Sequence, residues 1–125
     1  MILERGEDYT LFWSLSFAVS AATWTRLGGF STAYRGYGAE DTDFGQLARA
    51  AGVELWWVGG ASAFHQHHPP SASPARAGEM VANANVFHER WGWWPMEGWL
   101  TELADAGVAA LDPATGRWAL RQGAR

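Results

Sequence analysis

The apolar positions of the chain alternate in some segments and run together in others. In Leu11–Ser20 large apolar residues occupy every second position, which predicts a strand with one large face and one mostly small face. Residues 53–58, VELWWV, are almost continuously apolar and predict a buried strand, and Ala61–His65 predicts a further short one. These segments indicate a small sheet.

Helical patterns lie between and after these strands. Ala21–Leu27 predicts a short helix that stops at the pair Gly28-Gly29. A second helix opens at Glu40, where apolar residues begin to recur at helical spacing, and ends at Gly52. Further helices are predicted from about Glu79 to Trp91 and from Pro95 to Ala106, whereas Leu111–Arg125 is weakly patterned. The fold class is therefore α/β (α+β), a short mixed sheet flanked by helices.

Length, charge and composition limit the classes of function that the chain can have. A chain of 125 residues is about one domain, and its net charge of −4 without any basic run argues against nucleic acid or an anionic membrane as the main partner. There is no cysteine, which excludes disulfides and thiolate metal sites. We see no signal peptide and no apolar run of the roughly 20 residues that a membrane helix needs. The sequence predicts a soluble, cytoplasmic protein with no transmembrane segment.

Tryptophan is the unusual component of the composition. The chain has nine, and four of them fall in RWGWWPMEGWL, residues 90–100. A core of this size rarely needs so many indoles, and each buried one requires a partner for its N–H. Flat aromatic faces suit the C–H faces of sugars, so the composition raises carbohydrate as a ligand. For residues 90–100 two interpretations stay open: indoles that pack on the core, or a wall that binds an acceptor or a partner.

Glu40-Asp41-Thr42-Asp43 places three carboxylates in the first turn of the second helix. The simpler interpretation is that they cap the helix, where its dipole favours negative charge. One cap needs only one such residue, however, and crowded carboxylates repel one another unless a proton or a cation is shared. From the carboxylates alone, both interpretations stay open.

The local order of residues resembles the catalytic motif of GT-A glycosyltransferases, in particular the C-terminal domain of the galactosyltransferase family. The resemblance rests on Gly28-Gly29-Phe30 and on Tyr37-Gly38-Ala39-Glu40-Asp41-Thr42-Asp43, with a strand before them and a histidine cluster after them. It runs from about Leu15 to Pro69. It implies a bacterial, family 2-type enzyme that transfers a hexose from a nucleotide-sugar to a carbohydrate or glycoconjugate hydroxyl by inverting displacement.

The resemblance also implies roles for single residues. Asp41 is the general base that takes the proton of the acceptor hydroxyl, and Glu40 binds a sugar hydroxyl or supports this base. Gly38 and Ala39 let the backbone approach the sugars, and Tyr37 stacks on one of them. The family often has tryptophan at the place of Tyr37 and glycine at the place of Ala39, which puts the identity of the sugar in doubt more than the reaction.

Three histidines, His65, His67 and His68, stand within four positions. Imidazole suits Mn, Fe, Ni, Cu or Zn, and His65 can share a face with His67 or converge with His68. The resemblance implies a divalent cation here, Mn²⁺ or alternatively Mg²⁺, that holds the donor diphosphate, with His65 as first choice of ligand. His88, on a predicted helix, is expected to be structural.

A whole GT-A enzyme also needs an N-terminal nucleotide-binding βαβ half that ends in an Asp-x-Asp motif. The only such motif here is Asp41-Thr42-Asp43, which the resemblance assigns to the acceptor side. We therefore expect a partial GT-A fold that lacks this half, with the nucleotide site supplied by a partner chain or a missing segment. Residues 1–70 are the predicted catalytic-type segment, and residues 71–125 a helical, Trp-rich extension of the same domain with a weakly structured tail. The alternative is a non-catalytic carbohydrate-binding or interaction module derived from a glycosyltransferase. A third hypothesis is a structural or metal-binding protein in which the acidic turn only caps a helix.

Overall fold

The computed structural model describes residues 1–66 and 74–122, and over these residues the fold is mixed α/β. The four helices are α1 (Ala21–Leu27), α2 (Glu40–Ala50), α3 (Ala77–Trp91) and α4 (Glu97–Asp105). The four strands are β1 (Ile2–Gly6), β2 (Leu55–Gly59), β3 (Ala109–Asp112) and β4 (Arg117–Leu120), and β1–β2 and β3–β4 form two antiparallel pairs. The predicted α+β class is confirmed. Within the described ranges, no helix combines the length and the apolar character needed to cross a bilayer.

The chain divides into two compact units that alternate along the sequence. Unit 1 comprises Met1–Ser31 and Glu40–His68, and unit 2 comprises Thr32–Ala39 and Pro69–Arg125. The boundary between Ala39 and Glu40 falls inside the motif that carries the family resemblance. The predicted division into functional segments 1–70 and 71–125 stays a prediction.

The sheet of unit 1 pairs β1 with β2 in a register that joins Ile2 to Gly59 and Gly6 to Leu55. The sequence predicted β2 but missed β1. It also predicted that β2 is buried, which is wrong, because Trp56 is 46% and Trp57 40% exposed. A continuous apolar run is typical of a strand covered on both faces, and this two-stranded sheet leaves both indoles partly open to solvent.

The predicted strand at Leu11–Ser20 is wrong. The chain forms a short 3₁₀ helix at Tyr9–Leu11, capped by the Asp8 carboxylate, and then continues in turns. Alternation places Phe12 and Phe17 on opposite faces of a strand, yet their ring centroids lie 5.1 Å apart. The predicted strand at Ala61–His65 is also wrong, because this segment has no regular secondary structure.

The helices of unit 1 follow the sequence closely. The Ser20 hydroxyl accepts a hydrogen bond from the amide of Thr23 at the start of α1, and Gly28 ends this helix with a left-handed φ of 86°. The Arg26 side chain donates to the carbonyl of Ala51, just after α2. Five aromatic rings pack around α1 and α2, with centroids 5.1–6.1 Å apart: Phe12, Phe17, Trp24, Phe30 and Phe44. Phe44 is the buried member of this cluster.

Unit 2 has a more extensive apolar core, built on α3 and α4. One cluster joins Ala77, Met80, Val81, Leu103 and Ala109, and another joins Tyr34, Ala39 and Phe87. Both helices were predicted, although α4 begins at Glu97 rather than at Pro95. The hairpin β3–β4 was missed in the weakly patterned C-terminal segment.

The four indoles of residues 90–100 pack within unit 2. Trp91 and Trp93 pack against the cluster of Phe87, and Trp99 packs against the cluster of Met80. Trp94 stacks on His88, with ring centroids 3.9 Å apart and an interplanar angle of 16°. The structure therefore favours the packing interpretation of this segment, and His88 makes a packing contact as expected.

Candidate active site

The acidic turn lies where the sequence predicted it, at the start of α2 in unit 1. Glu40, Asp41 and Asp43 all belong to the first turn of this helix. Asp43 is completely buried and has an interaction within the fold, which agrees with a structural role. Glu40 and Asp41 are only partly buried, so they are the members of the turn that a ligand can approach.

The Asp41 carboxylate is fixed by a residue that the sequence did not point to. Ser14 donates its backbone N–H to Oδ2 over 3.0 Å and its hydroxyl to the same oxygen over 3.3 Å. The other oxygen, Oδ1, accepts from the backbone N–H of Thr42 over 2.7 Å. Ser14 lies 27 positions upstream, in the segment predicted as a strand. The only signal it gave was its place among the small residues of that segment.

Glu40 carries a polar atom that the fold leaves unsatisfied. Its Oε2 is buried and has no hydrogen-bond partner within the part of the chain that the structure describes. A buried oxygen without a donor costs roughly 1–3 kcal/mol, more when it is charged, and native proteins keep few of them. Glu40 therefore has one carboxylate oxygen that is closed off from solvent and unsatisfied, whereas the side chain as a whole is only partly buried.

The loop before the acidic turn belongs to unit 2 and is held by α3. Asn83 accepts from the amide of Arg35, and its amide nitrogen donates to the carbonyls of Arg35, Tyr37 and Gly38 over 3.0–3.1 Å. Glu79 accepts the backbone N–H of Tyr37 over 2.9 Å. Because Asn83 is buried, its four bonds are partly shielded from water and hold the conformation of the loop, whereas the bond from Tyr37 to Glu79 is exposed.

Two residues of this loop have left-handed backbone angles. Gly38 has φ of 110°, and a Cβ added to it would lie 2.7 Å from the sulfur of Met96. Ala39 has φ of 72°, which is unfavourable for a residue with a side chain, and its methyl group is buried. Strained backbone of this kind concentrates at functional sites.

Tyr37 makes several contacts inside unit 2. The guanidinium of Arg76 lies 4.7 Å from the centre of its ring, and the ring of Trp99 is 6.0 Å away. The ring therefore has a cation on one face and an indole beside it. A stacking role toward a sugar stays a prediction.

The predicted metal ligands divide between described and undescribed residues. His65 is exposed, in a segment without regular structure, while His67 and His68 lie outside the described residues. Over residues 1–66 and 74–122, no three histidine, aspartate or glutamate side chains come together as a metal site. The described residues alone therefore do not fit a cation, and any such site depends on His67 or His68.

The predicted site residues thus fall into two groups. Glu40, Asp41 and His65 belong to unit 1, and the loop residues Tyr37, Gly38 and Ala39 belong to unit 2. Within unit 1 the structure brings Asp41 together with Ser14, which adds a residue to the candidate site.

An acidic turn with one anchored carboxylate, in an α+β frame, is an arrangement suited to glycosyl transfer, and the comparison with known families agrees with this class. Residues 4–69 match the family described as the N-terminal domain of galactosyltransferase, so the chain belongs to this galactosyltransferase family. The match covers slightly more than half of the chain and includes all the predicted site residues. Its description names an N-terminal domain, whereas the sequence resemblance indicated a C-terminal one. No curated protein and no solved structure matches the chain.

Proposed function

We propose that this chain forms the acceptor side of a glycosyltransferase that moves a hexose from a nucleotide-sugar donor to a hydroxyl of a carbohydrate or glycoconjugate acceptor. The observation that carries the proposal is the Asp41 carboxylate, which stands in the first turn of α2 and is anchored by Ser14. Membership of the galactosyltransferase family supports the reaction class. The C-terminal position within a family 2-type GT-A enzyme, and a cytoplasmic location, belong to the same proposal.

In the proposed step Asp41 is the general base. The acceptor hydroxyl oxygen forms a bond to the anomeric carbon, while the bond from that carbon to the diphosphate oxygen breaks and the diphosphate leaves with the electron pair. Asp41 takes the hydroxyl proton as the new bond forms. Because the hydroxyl attacks the face of the anomeric carbon opposite the leaving diphosphate, the configuration of that carbon is inverted. Glu40, which is partly exposed, binds a second sugar hydroxyl or supports the base. The sugar contacts that the resemblance implies for Gly38, Ala39 and Tyr37 belong to the same proposal.

The proposal includes a divalent cation, Mn²⁺ or Mg²⁺, only because the chain has histidines that are predicted to bind one. His65 is the proposed ligand, together with His67 or His68. When bound, such a cation would neutralise negative charge on the leaving diphosphate. We assign no step to it, because the described residues do not assemble its site.

A second candidate function is carbohydrate binding without catalysis. It is favoured by the exposed indoles of unit 1: Trp13 is 63% exposed, and Trp56 and Trp57 are also open to solvent. Exposed tryptophan faces bind sugars without any need for a base or a donor. The two candidates differ in their dependence on the donor nucleotide and on Asp41.

The first experiment is a calorimetric titration of UDP-, GDP- and dTDP-sugars into the chain, with and without Mn²⁺. Mn²⁺-dependent binding of one nucleotide-sugar that is lost in His65→Ala and kept in the packing variant His88→Ala would mean that a donor site survives in this chain. No binding of any nucleotide-sugar by the folded chain is the result expected of an acceptor side whose nucleotide site lies elsewhere. If a partner chain has to supply the nucleotide site, binding appears only after that chain is added.

A parallel titration uses methyl glycosides of common hexoses and N-acetylhexosamines as acceptor probes. Binding that is lost in Asp41→Asn supports the acceptor site. Binding that is unchanged in Asp41→Asn but lost in Trp13→Ala favours the non-catalytic module. Steady hexose transfer by the isolated chain would contradict the expectation that the nucleotide site comes from elsewhere.

A further inference from the structure

The two oxygens of the Asp41 carboxylate are held in different ways. Oδ2 accepts twice from Ser14, from the backbone N–H at 3.0 Å and from the hydroxyl at 3.3 Å. Oδ1 accepts from the backbone N–H of Thr42 at 2.7 Å and, at 3.4 Å, from the hydroxyl of the same residue. The four donors correspond to the four lone-pair sites of an ionised carboxylate. An incoming hydroxyl must therefore displace one of them.

The distances indicate which donor gives way. Backbone N–H groups cannot turn away without moving the chain, whereas a hydroxyl rotates freely. The hydroxyl bond of Thr42 is the longest of the four and far from the usual 2.7–2.8 Å of an O–H···O bond. This hydroxyl bond is also the weaker of the two hydrogen bonds that Oδ1 accepts. The acceptor hydroxyl can therefore form its new hydrogen bond at Oδ1.

We propose that Ser14 is a positioning residue for Asp41: it engages both lone pairs of Oδ2, and so presents Oδ1 to the acceptor hydroxyl. This proposal rests on the proposed function, because it takes Asp41 to be the group that meets the acceptor. It adds a residue to which no role has been assigned and names the oxygen that takes the proton. Ser14 itself does not touch the reacting atoms.

The segment around Ser14 supports this role. It approaches α2 through Phe12, whose ring packs against Phe44 with a centroid distance of 5.6 Å. Tyr9 at its start donates its hydroxyl to the carbonyl of Val53 beyond the end of α2. A Cβ added to Gly45 would lie 2.8 Å from the backbone oxygen of Tyr9, so the segment and the helix are in close contact. After Ser14, the ring of Phe17 packs against Phe44 with a centroid distance of 6.1 Å, so the serine reaches Asp41 from a segment that is anchored on both sides of it.

The test compares four single variants of the full chain. Ser14→Ala removes the hydroxyl and keeps the backbone N–H, and Ser14→Thr restores a hydroxyl. Thr42→Val removes the hydroxyl that the acceptor is proposed to displace. Ser16→Ala is the matched control, an exposed serine two positions away. The probes are the methyl glycosides named above, and their dissociation constants are measured from NMR titrations.

The proposal expects the dissociation constant of the bound glycoside to rise about 3- to 10-fold in Ser14→Ala, a change of the size expected for the loss of one typical hydrogen bond. Ser14→Thr and Ser16→Ala should stay within about 2-fold of the parent chain, and Thr42→Val should not weaken binding. All four variants should unfold at the same temperature within about 3 °C, since a half-exposed hydroxyl contributes little to stability. Unchanged or tighter binding in Ser14→Ala would overturn the proposal. The Ser14 hydroxyl would then have no effect on glycoside binding, or would compete with the glycoside for the Asp41 carboxylate.

The ¹³C resonance of the Asp41 side-chain carboxyl gives a readout that needs no ligand. It should move in Ser14→Ala and not in Ser16→Ala. If no glycoside binds the parent chain but this resonance moves, the acceptor role fails while the positioning contact stands. If glycosides bind in an Asp41-dependent way and neither the resonance nor the affinity responds to Ser14→Ala, the positioning role fails alone.

Discussion

Units 1 and 2 differ in whether their apolar side chains are buried or exposed. Among the described residues, ten of the eleven buried apolar residues belong to unit 2, and the remaining one is Phe44 of unit 1. Of the fifteen large apolar side chains that are exposed, thirteen belong to unit 1. Unit 2 is therefore built around its own core, whereas unit 1 is held by ring contacts and helix caps.

This difference bears on where the function lies. Contiguous exposed apolar surface is uncommon on a soluble domain and marks surfaces that bind something. The family match to residues 4–69 covers most of unit 1, and the acidic turn and the exposed indoles also lie in this unit. Unit 2 contributes the loop 35–39, whose conformation its core fixes through Asn83. The comparison separates a unit that supplies stability from one that presents chemistry, and mutations can test this division.

The largest expected effect is on the core of unit 2. Phe87 is fully buried and packs edge to face on Trp93, with ring centroids 4.7 Å apart. Phe87→Ala should lower the free energy of unfolding by about 3–5 kcal/mol, because it leaves a cavity in a well-packed cluster. The matched variant Trp13→Ala removes a larger ring from an exposed position of unit 1 and should change stability by less than about 0.5 kcal/mol.

Urea unfolding followed by circular dichroism measures both variants. If Trp13→Ala destabilised the chain as much as Phe87→Ala, the indole would be part of a core and not of a surface, and the contrast between the units would fail.

An intermediate effect is expected from two buried asparagines of α3 that hold different segments. Asn83→Ala leaves the amide of Arg35 and three loop carbonyls without their partner, and should cost about 2–3 kcal/mol. Asn85→Ala should cost about as much, but its bonds go to the N–H and C=O of Trp118 in β4.

Amide hydrogen exchange separates the two variants. Exchange at Arg35 should accelerate in Asn83→Ala and not in Asn85→Ala, and exchange at Trp118 should show the reverse. Acceleration at both amides in both variants would mean that α3 opens as a whole, and the loop would not be fixed by Asn83 specifically.

The helices could be predicted from sequence because their signals are local. The Ser20 cap, the left-handed stop at Gly28 and the acidic first turn of α2 all lie within a few residues of the helices they define. The segment Leu11–Ser20 could not be predicted in this way. Its alternation is real, but the amide of Ser14 bonds to a carboxylate 27 residues away and not to a neighbouring strand.

The candidate site shows the same limit. The motif identified Glu40 and Asp41 by residue type and order. The family match covers both residues, and their roles stay a prediction. Ser14 was missed because no feature of the residues around it indicates that this serine contacts a helix far along the chain. The short hairpin β3–β4 was missed because four-residue strands give too little periodicity to detect, and part of its support comes from Asn85 of α3.

The smallest expected effect concerns the backbone strain at Ala39. Ala39 and Ala84 are both fully buried in unit 2, but Ala84 lies inside α3, whereas Ala39 has φ of 72°. Ala84→Gly should cost about 2 kcal/mol, from lost helix propensity and a lost methyl contact. Ala39→Gly loses a similar methyl contact but relieves about 1–2 kcal/mol of left-handed strain, so its net effect should stay within about 1 kcal/mol of zero. Urea unfolding of both variants measures the difference. Equal destabilisation would mean that Ala39 is not strained.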